Sequence, residues 1–222
     1  MTGNPERPSP GREEILAAAA RAFAEHGYHG MSMRDLAKAT NRSPATLYNY
    51  VDSKEDLLYW IQRDAFDELL GSARAALEGA DDAEDRLHRF VLAHVRFFAD
   101  RLHLMRVLIH EATALPPDRR AEIRERKEAY FQLDEDIVRD VTRARSVGEP
   151  SDLEVERNTY CLFGMLNWTY GWYEPARHGD PEELALTIER VALSGVAPLR
   201  VRAERRGEST GASLGAPGGG AR

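Results

Sequence analysis

Residues 32–56, SMRDLAKATNRSPATLYNYVDSKED, carry three helix-start signals in close succession, and no other element type accommodates that punctuation. Ser32 can cap a first helix while Asp35, three residues on, reaches back to the cap amide. Leu36 and Ala37 supply its buried side, and the pattern stops at Ala39-Thr40-Asn41. Asparagine is one of the few non-glycine residues that tolerates the left-handed conformation a tight turn needs. Ser43 then caps a second helix, with Pro44 where a missing amide hydrogen costs nothing. Ser53 and Asp56 open a third, long helix through Leu57, Leu58 and Ile61. Two helices around a three-to-four-residue turn form the geometry that places the second helix in a major groove of DNA.

Read with the preceding Gly27-Tyr28-His29-Gly30, this stretch resembles the DNA-binding domain of the TetR family of bacterial transcriptional repressors. The glycine-ended first helix, Arg34-Asp35-Leu36-Ala37, Thr46-Leu47-Tyr48-Asn49-Tyr50 and Ser53-Lys54-Glu55 carry the resemblance, over roughly residues 12–60. Three positions depart from the family's pattern. Asn41 stands where glycine is common, Arg42 where a small apolar residue is usual, and Val51 where phenylalanine is usual.

The expected DNA-facing set is Ser32, Arg34, Arg42, Ser43, Pro44, Ala45, Thr46, Tyr48, Asn49, Tyr50 and Lys54. Arg34 resembles the family's base-reading arginine and can bond a guanine edge in bidentate fashion. Asn49 can read an adenine or bond a phosphate, whereas Pro44 and Ala45 offer only apolar contact. Thr46, Tyr48, Tyr50 and Lys54 resemble phosphate-side contacts, which set register without carrying sequence. Packing of Tyr48 and Tyr50 into the small three-helix core is the competing reading.

The chain is acidic overall, at net charge −7, yet a nucleic-acid footprint is local. Residues 33–54 hold Arg34, Lys38, Arg42 and Lys54 against Asp35 and Asp52, a surplus of two positive charges. The acidic excess lies beyond them, in runs such as Asp81-Asp82, Asp134-Glu135-Asp136 and Glu182-Glu183. So small a surplus binds weakly alone, which calls for a homodimer on a pseudo-palindromic double-stranded operator with half-sites about one helical turn apart.

At 222 residues and 42% hydrophobic content, the chain suits one small reader plus a larger helical domain. No apolar run approaches the roughly 18 residues of a membrane span. The first ten residues, with three prolines, read as neither signal peptide nor helix. The single cysteine, Cys161, excludes an internal disulfide, fits a reducing cytoplasm, and is expected to be an inert buried thiol. Apolar periodicity predicts helices over about Arg12–Glu25, Lys54–Leu77, Ala83–Asp100, Leu104–Glu111, Pro117–Arg145, Leu153–Tyr173 and Pro181–Val196, with no strand pattern. The expectation is an all-α chain: a disordered arm over 1–10, a three-helix helix-turn-helix domain over 11–56, a helical ligand-binding and dimerisation domain over 57–200, and a disordered tail over 201–222.

The predicted helix over Leu153–Tyr173 is apolar nearly all round, and such a helix must be covered on more than one side. With the stripe on Pro181–Val196 it makes a four-helix dimer interface, two helices per subunit as in resembling repressors, using Trp168, Trp172, Leu184, Ile188 and Val191. A purely intramolecular core is the alternative. A pocket for an apolar small molecule is expected between the helices from Ala83 to Tyr173, lined by Phe97, Phe98, Leu102, Met105, Ile109, Tyr130, Phe163 and Asn167. Ordinary core packing is the competing role of each. Residues 166–173, with Pro175 and Pro181-Glu182-Glu183-Leu184, resemble the C-terminal segment of family members that sense acyl-CoA thioesters of fatty-acid or steroid breakdown. Arg101, Arg106, Arg119 and Arg120 can serve the phosphates of such a ligand, or only solvate helix ends. A planar cationic or aromatic drug, as in efflux-controlling relatives, is the other effector class.

An enzyme is disfavoured, because no Gly-x-Ser-x-Gly elbow, Walker loop or dinucleotide fingerprint is present. His103 and His110 share a helix face beside Glu111, but no Cys or His pair at i, i+4 supports a metal, and no cofactor is expected. An architectural protein using the same helix-turn-helix would need no pocket.

Overall fold

The computed structural model of the protein describes residues 10–111 and 113–196, and every regular element among them is helical. The helices are α1 (Pro10–His26), α2 (Met33–Ala39), α3 (Pro44–Tyr48), α4 (Lys54–Leu77), α5 (Ala83–Ala99), α6 (Leu102–His110), α7 (Pro117–Arg145), α8 (Asp152–Asn167), α9 (Pro175–His178) and α10 (Pro181–Val196). The arm expected over 1–10, Pro10 apart, and the tail expected over 201–222 lie outside the described residues.

The capping signals act as their chemistry dictates. The Ser32 hydroxyl accepts from the Asp35 amide, and the Asp35 carboxylate accepts from the Ser32 amide at 3.1 Å. Ser43 accepts from the Thr46 amide at 3.1 Å with Pro44 in the first turn, and Ser53 does the same for Asp56. Asn41 takes φ 53°, the left-handed turn between α2 and α3. Gly27 ends α1 at φ 73°, and a Cβ on Gly30 would lie 2.4 Å from the His26 carbonyl oxygen, so this connection needs its glycines.

Ile15, Ala19 and Phe23 of α1 close on Leu36, Leu47, Val51 and Leu57 to form the core of the N-terminal unit. Each large side chain buried there is worth roughly 1.5–3 kcal/mol. α4 runs out of this unit and packs on α1, α5 and α7. α5 lies centrally, against α4, α7 and α10, while α8 packs on α7 and α10. α6 packs on α1, which brings the C-terminal unit against the N-terminal one.

Two expectations are corrected. The helix expected over Leu153–Tyr173 ends at Asn167 and tightens into a 3-10 turn at Trp168–Gly171, followed by short α9. The Thr169 hydroxyl turns inward to the Leu166 carbonyl, and Gly171, with little helix propensity, ends the turn. Cys161 is exposed, because it lies on a side of α8 that no other described helix covers. Asp134, within the acidic run 134–136, is fully buried, because that position falls on the inner face of α7.

Candidate DNA interface and effector domain

The predicted DNA-facing residues lie on α2, on α3, in the segments that flank them and, for Lys54, at the start of α4. Ser32, Arg34, Ser43, Pro44, Ala45, Tyr48 and Asn49 are exposed, while Arg42, Thr46 and Tyr50 are half-buried. Leu47, in the middle of α3, is wholly buried and holds the helix down. Arg34 makes no ion pair or hydrogen bond with a described residue, which leaves its guanidinium available. The Arg42 guanidinium instead reaches Glu14 on α1 at 3.1 Å. That accounts for a long cation at a position where the family has a small residue: it crosses to α1 rather than packing inward.

Lys54 is also engaged inside the chain. Its ammonium donates to the backbone carbonyls of Tyr28 at 3.1 Å and Met31 at 3.0 Å, and sits 4.2 Å from the centre of the Tyr28 ring. It fastens the α1–α2 connection to the start of α4. Lys54→Ala is expected to cost about 1–2 kcal/mol of stability, read as a lowered melting temperature. Unchanged melting together with a smaller salt dependence of DNA binding would instead mark this lysine as a phosphate contact.

The two units are tied by polar contacts at one level of the molecule. The Tyr28 amide donates to the Glu111 carboxylate at 3.0 Å, just past α6. Gln62 of α4 donates to the Glu111 carbonyl at 3.2 Å. Arg119 of α7 pairs with Asp56, the residue that completes the α4 cap. A shift of α6 or of the start of α7 is therefore felt at both the α1–α2 connection and the base of α4.

Arg101, Arg106, Arg119 and Arg120, considered for ligand phosphates, all have protein partners. Arg101 pairs with Glu68 at 2.7 Å, Arg106 donates to the Ala24 carbonyl at 3.5 Å, Arg119 pairs with Asp56, and Arg120 donates to the Leu115 carbonyl at 2.9 Å. His110 shares a hydrogen bond with the Tyr170 hydroxyl at 2.8 Å while Glu111 serves Tyr28, so the His103–His110–Glu111 trio does not converge. Among the described residues, no group of three or more His, Cys, Asp or Glu is arranged to hold a metal ion. No described helix is long and apolar enough to cross a membrane.

The predicted pocket residues and interface residues part company. An open apolar groove of about 750 Å³ runs between α8 and α10, floored by Leu87, Val138 and Val141. All five predicted interface residues, Trp168, Trp172, Leu184, Ile188 and Val191, line it, together with Cys161. None of the eight predicted pocket residues does. Among the described residues, three of the nine exposed large hydrophobic side chains, Trp168, Trp172 and Val191, line this groove.

Of those eight, Phe98, Tyr130 and Phe163 meet in the core around His94, with ring centres 5.0 Å apart for His94–Phe98 and 5.9 Å apart for both His94–Tyr130 and Tyr130–Phe163. Met105 is buried and takes a contact from the Thr169 hydroxyl at 3.6 Å. Phe97 lies under the Arg101 guanidinium. Leu102 and Asn167 are half-buried, and Ile109 is exposed.

Two buried polar residues in this core were not among the predicted site residues. His94 shares a 2.9 Å hydrogen bond through Nδ1 with the Tyr130 hydroxyl, and its Nε2 has no partner. Asp134, one turn after Tyr130 on α7, has no partner on either carboxyl oxygen. The available signal for His94 was a histidine within the apolar stripe of α5; Asp134 was masked by its acidic neighbours.

Burial sets the titration of both groups. It pushes His94 down from 6.5 to about 3, so on acidification the unfolded chain takes up this proton before the folded one. Stability is then lost below pH 6.5, by roughly 1.4 kcal/mol per pH unit until the folded value is reached. Burial raises Asp134 well above its ordinary range, so this carboxyl acts oppositely and removes stability as pH rises above about 4. Chemical melts from pH 7 to 5 are expected to lose less stability in His94→Phe than in the unaltered protein. Equal losses would contradict a neutral buried imidazole.

These features define a helix-turn-helix reader joined to an all-helical C-terminal unit. Residues 80–196 match the model for the tetracyclin repressor-like C-terminal domain, and residues 15–59 match that of bacterial regulatory proteins of the tetR family. The chain belongs to the TetR family of bacterial transcriptional regulators, whose DNA-binding helix-turn-helix lies in its first sixty residues. It is 24% identical over 198 residues to the HTH-type transcriptional repressor KstR2 of Mycolicibacterium smegmatis, covering 86% of this chain and 93% of that protein. A TetR-family transcriptional regulator from Bordetella parapertussis superposes with a TM-score of 0.78 at 27% identity, over 84% of this chain and 95% of the other. AibR, solved in complex with isovaleryl coenzyme A and operator DNA, shares the fold at a TM-score of 0.71 and 23% identity, over 82% of this chain and 97% of its own.

Proposed function

We propose that the protein is a homodimeric repressor that binds a pseudo-palindromic operator and releases it on binding a bulky apolar small molecule. The observation that carries the DNA half of this reading is the exposed, capped α2–α3 surface with Arg34 unpaired. In it, Arg34 and Asn49 read bases, Pro44 and Ala45 make apolar contact, and Ser32, Ser43, Thr46, Tyr48 and Tyr50 set register on phosphates. Arg42 lends charge to the rim, and Lys54 holds the connection that presents α2.

The α8–α10 groove is the dimer interface in this proposal. Trp168 is 63% and Val191 52% exposed, so a small molecule there would remain half wet, whereas two helices of a second copy would cover the groove. The effector then binds in the core bounded by α5, α7 and α8. Its entry moves α6 and the start of α7, and the contacts through Glu111 and Arg119 carry the shift to the α1–α2 connection and α4. The spacing of the two α3 helices changes, and several contacts are lost together. Full release requires the effector to prefer the off state by several kcal/mol.

For the effector we favour an acyl-CoA thioester of fatty-acid or steroid breakdown. The isovaleryl coenzyme A complex of AibR supports that class, as does the aromatic core around Tyr130. The pairing of the four arginines inside the protein means that phosphates would have to displace existing contacts. The test uses an operator selected by the protein from random duplexes and fluorescence anisotropy to follow release. Palmitoyl-CoA is expected to release the operator at micromolar concentration while free coenzyme A does not. Release by cationic dyes alone would move the protein to the efflux-controlling class.

A further inference from the structure

The driest part of the C-terminal unit holds polar atoms that no structural duty explains. Asp134 is 0% exposed, His94 1% and Tyr130 2%, yet both Asp134 oxygens and His94 Nε2 lack hydrogen-bond partners. Asp134 caps no helix and makes no ion pair among the described residues. Apolar rings close around the group: Phe90 stacks on Tyr130 at 5.2 Å between centres, Phe98 lies 5.0 Å from His94, and Phe163 stands edge-on to Tyr130. Each orphaned polar atom in such a place keeps an uncompensated desolvation penalty, which leucine or phenylalanine would remove. A set of polar groups kept under those conditions serves something the chain itself does not supply.

The surrounding rings also lead outward. From Tyr130 the contacts step to Phe163 at 5.9 Å, to Phe131 at 5.3 Å, and to Tyr160 at 5.0 Å, and Tyr160 is 60% exposed. This aromatic seam between α7 and α8 joins the buried polar centre to the surface. Its half-buried members are single rings that can turn aside without breaking a backbone contact.

We infer that His94, Tyr130 and Asp134 form the polar recognition centre of the effector site, suited to an apolar molecule bearing an uncharged hydroxyl or keto group. An uncharged oxygen can hydrogen-bond an orphaned Asp134 oxygen or His94 Nε2 without bringing a charge into the core. A carboxylate or phosphate would meet the Asp134 oxygens and gain no cation. A quaternary ammonium could pair only with an ionised Asp134, whose charged form burial disfavours, and would leave His94 Nε2 orphaned. The inference rests on the effector-responsive reading above and adds the chemistry of the effector's buried end. In a thioester, the hydroxyl or keto group belongs on the acyl part, remote from coenzyme A.

Three probes with one ten-carbon tail separate the outcomes: decanol, decanoate and decyltrimethylammonium, titrated into the full-length protein by calorimetry with thermal shift in parallel. Decanol is expected to bind about tenfold more tightly than either ion. Asp134→Leu should erase that preference, and Asp134→Asn, which keeps an uncharged donor and acceptor, should retain it. Preference for decyltrimethylammonium, lost in Asp134→Asn, would overturn the inference in favour of a cation site. Equal binding of all three, or none, would also overturn it. Operator release by palmitoyl-CoA is read separately. Release without a decanol preference leaves the regulator reading intact and removes this inference, whereas a decanol preference without release keeps the polar site and removes palmitoyl-CoA as the effector.

Discussion

Trp168→Glu combined with Val191→Glu is expected to leave the protein as single chains at micromolar concentration and to lower operator affinity by roughly a hundredfold or more. Both side chains are over half exposed in the isolated subunit, so neither glutamate enters its core. Helicity and melting of the subunit should therefore change little. In the dimer, each acidic group would be buried against the apolar floor of the partner's groove without a cation, which opposes association strongly. DNA affinity then falls because the second reader no longer benefits from the high local concentration that the first creates. Sedimentation velocity gives the oligomeric state, and anisotropy on the selected operator gives the affinity. A variant that still sediments as a dimer would show that the α8–α10 surface is not the interface.

Arg34→Ala is expected to weaken binding to the selected operator by about 1–3 kcal/mol, roughly a fivefold to 150-fold loss, and to relax the preference at one base position. Arg34 is exposed and without a described partner, so removing it costs the fold nothing and the whole effect falls on DNA. The change should be confined to specific sequence, apart from a small general loss of charge. Competition against a panel of operators altered at single positions reads both quantities. Undiminished affinity with an unchanged sequence preference would remove this arginine from the reading surface.

The reader was legible because its signals are local. A serine cap followed three residues later by an aspartate, a proline in a first turn and an asparagine in the left-handed region act within one turn of chain, and each does so here. The bounds of α7 and α10 followed equally from proline at one end and apolar periodicity along the rest. α8 was overextended because Trp168, Tyr170 and Trp172 continue its apolar pattern; only the contacts of Thr169 with Leu166 and Met105 reveal where the chain tightens.

The roles of cations and buried acids were less legible, because they depend on what another helix brings. Lys54 resembles a phosphate contact in sequence, yet its ammonium meets two carbonyls and a ring from the α1–α2 connection. Asp134 reads as one of three neighbouring acids, although α7 turns it inward, where it is fully buried. Likewise, the pocket and interface candidates were drawn from similar aromatic residues, and their separation into a closed core and an open groove is a property of helix arrangement.

Sequence by itself determined the all-helical architecture, the capped α2–α3 reader and its exposed face, because these follow from hydrogen bonds and periodicities spanning a few residues. Only the tertiary structure decided which polar groups are dry, which arginines are already paired, and which apolar surface the chain leaves uncovered. Burial and pairing are set by residues far apart in the chain, as between His94 and Tyr130 or Arg119 and Asp56, and local pattern carries no record of those distances.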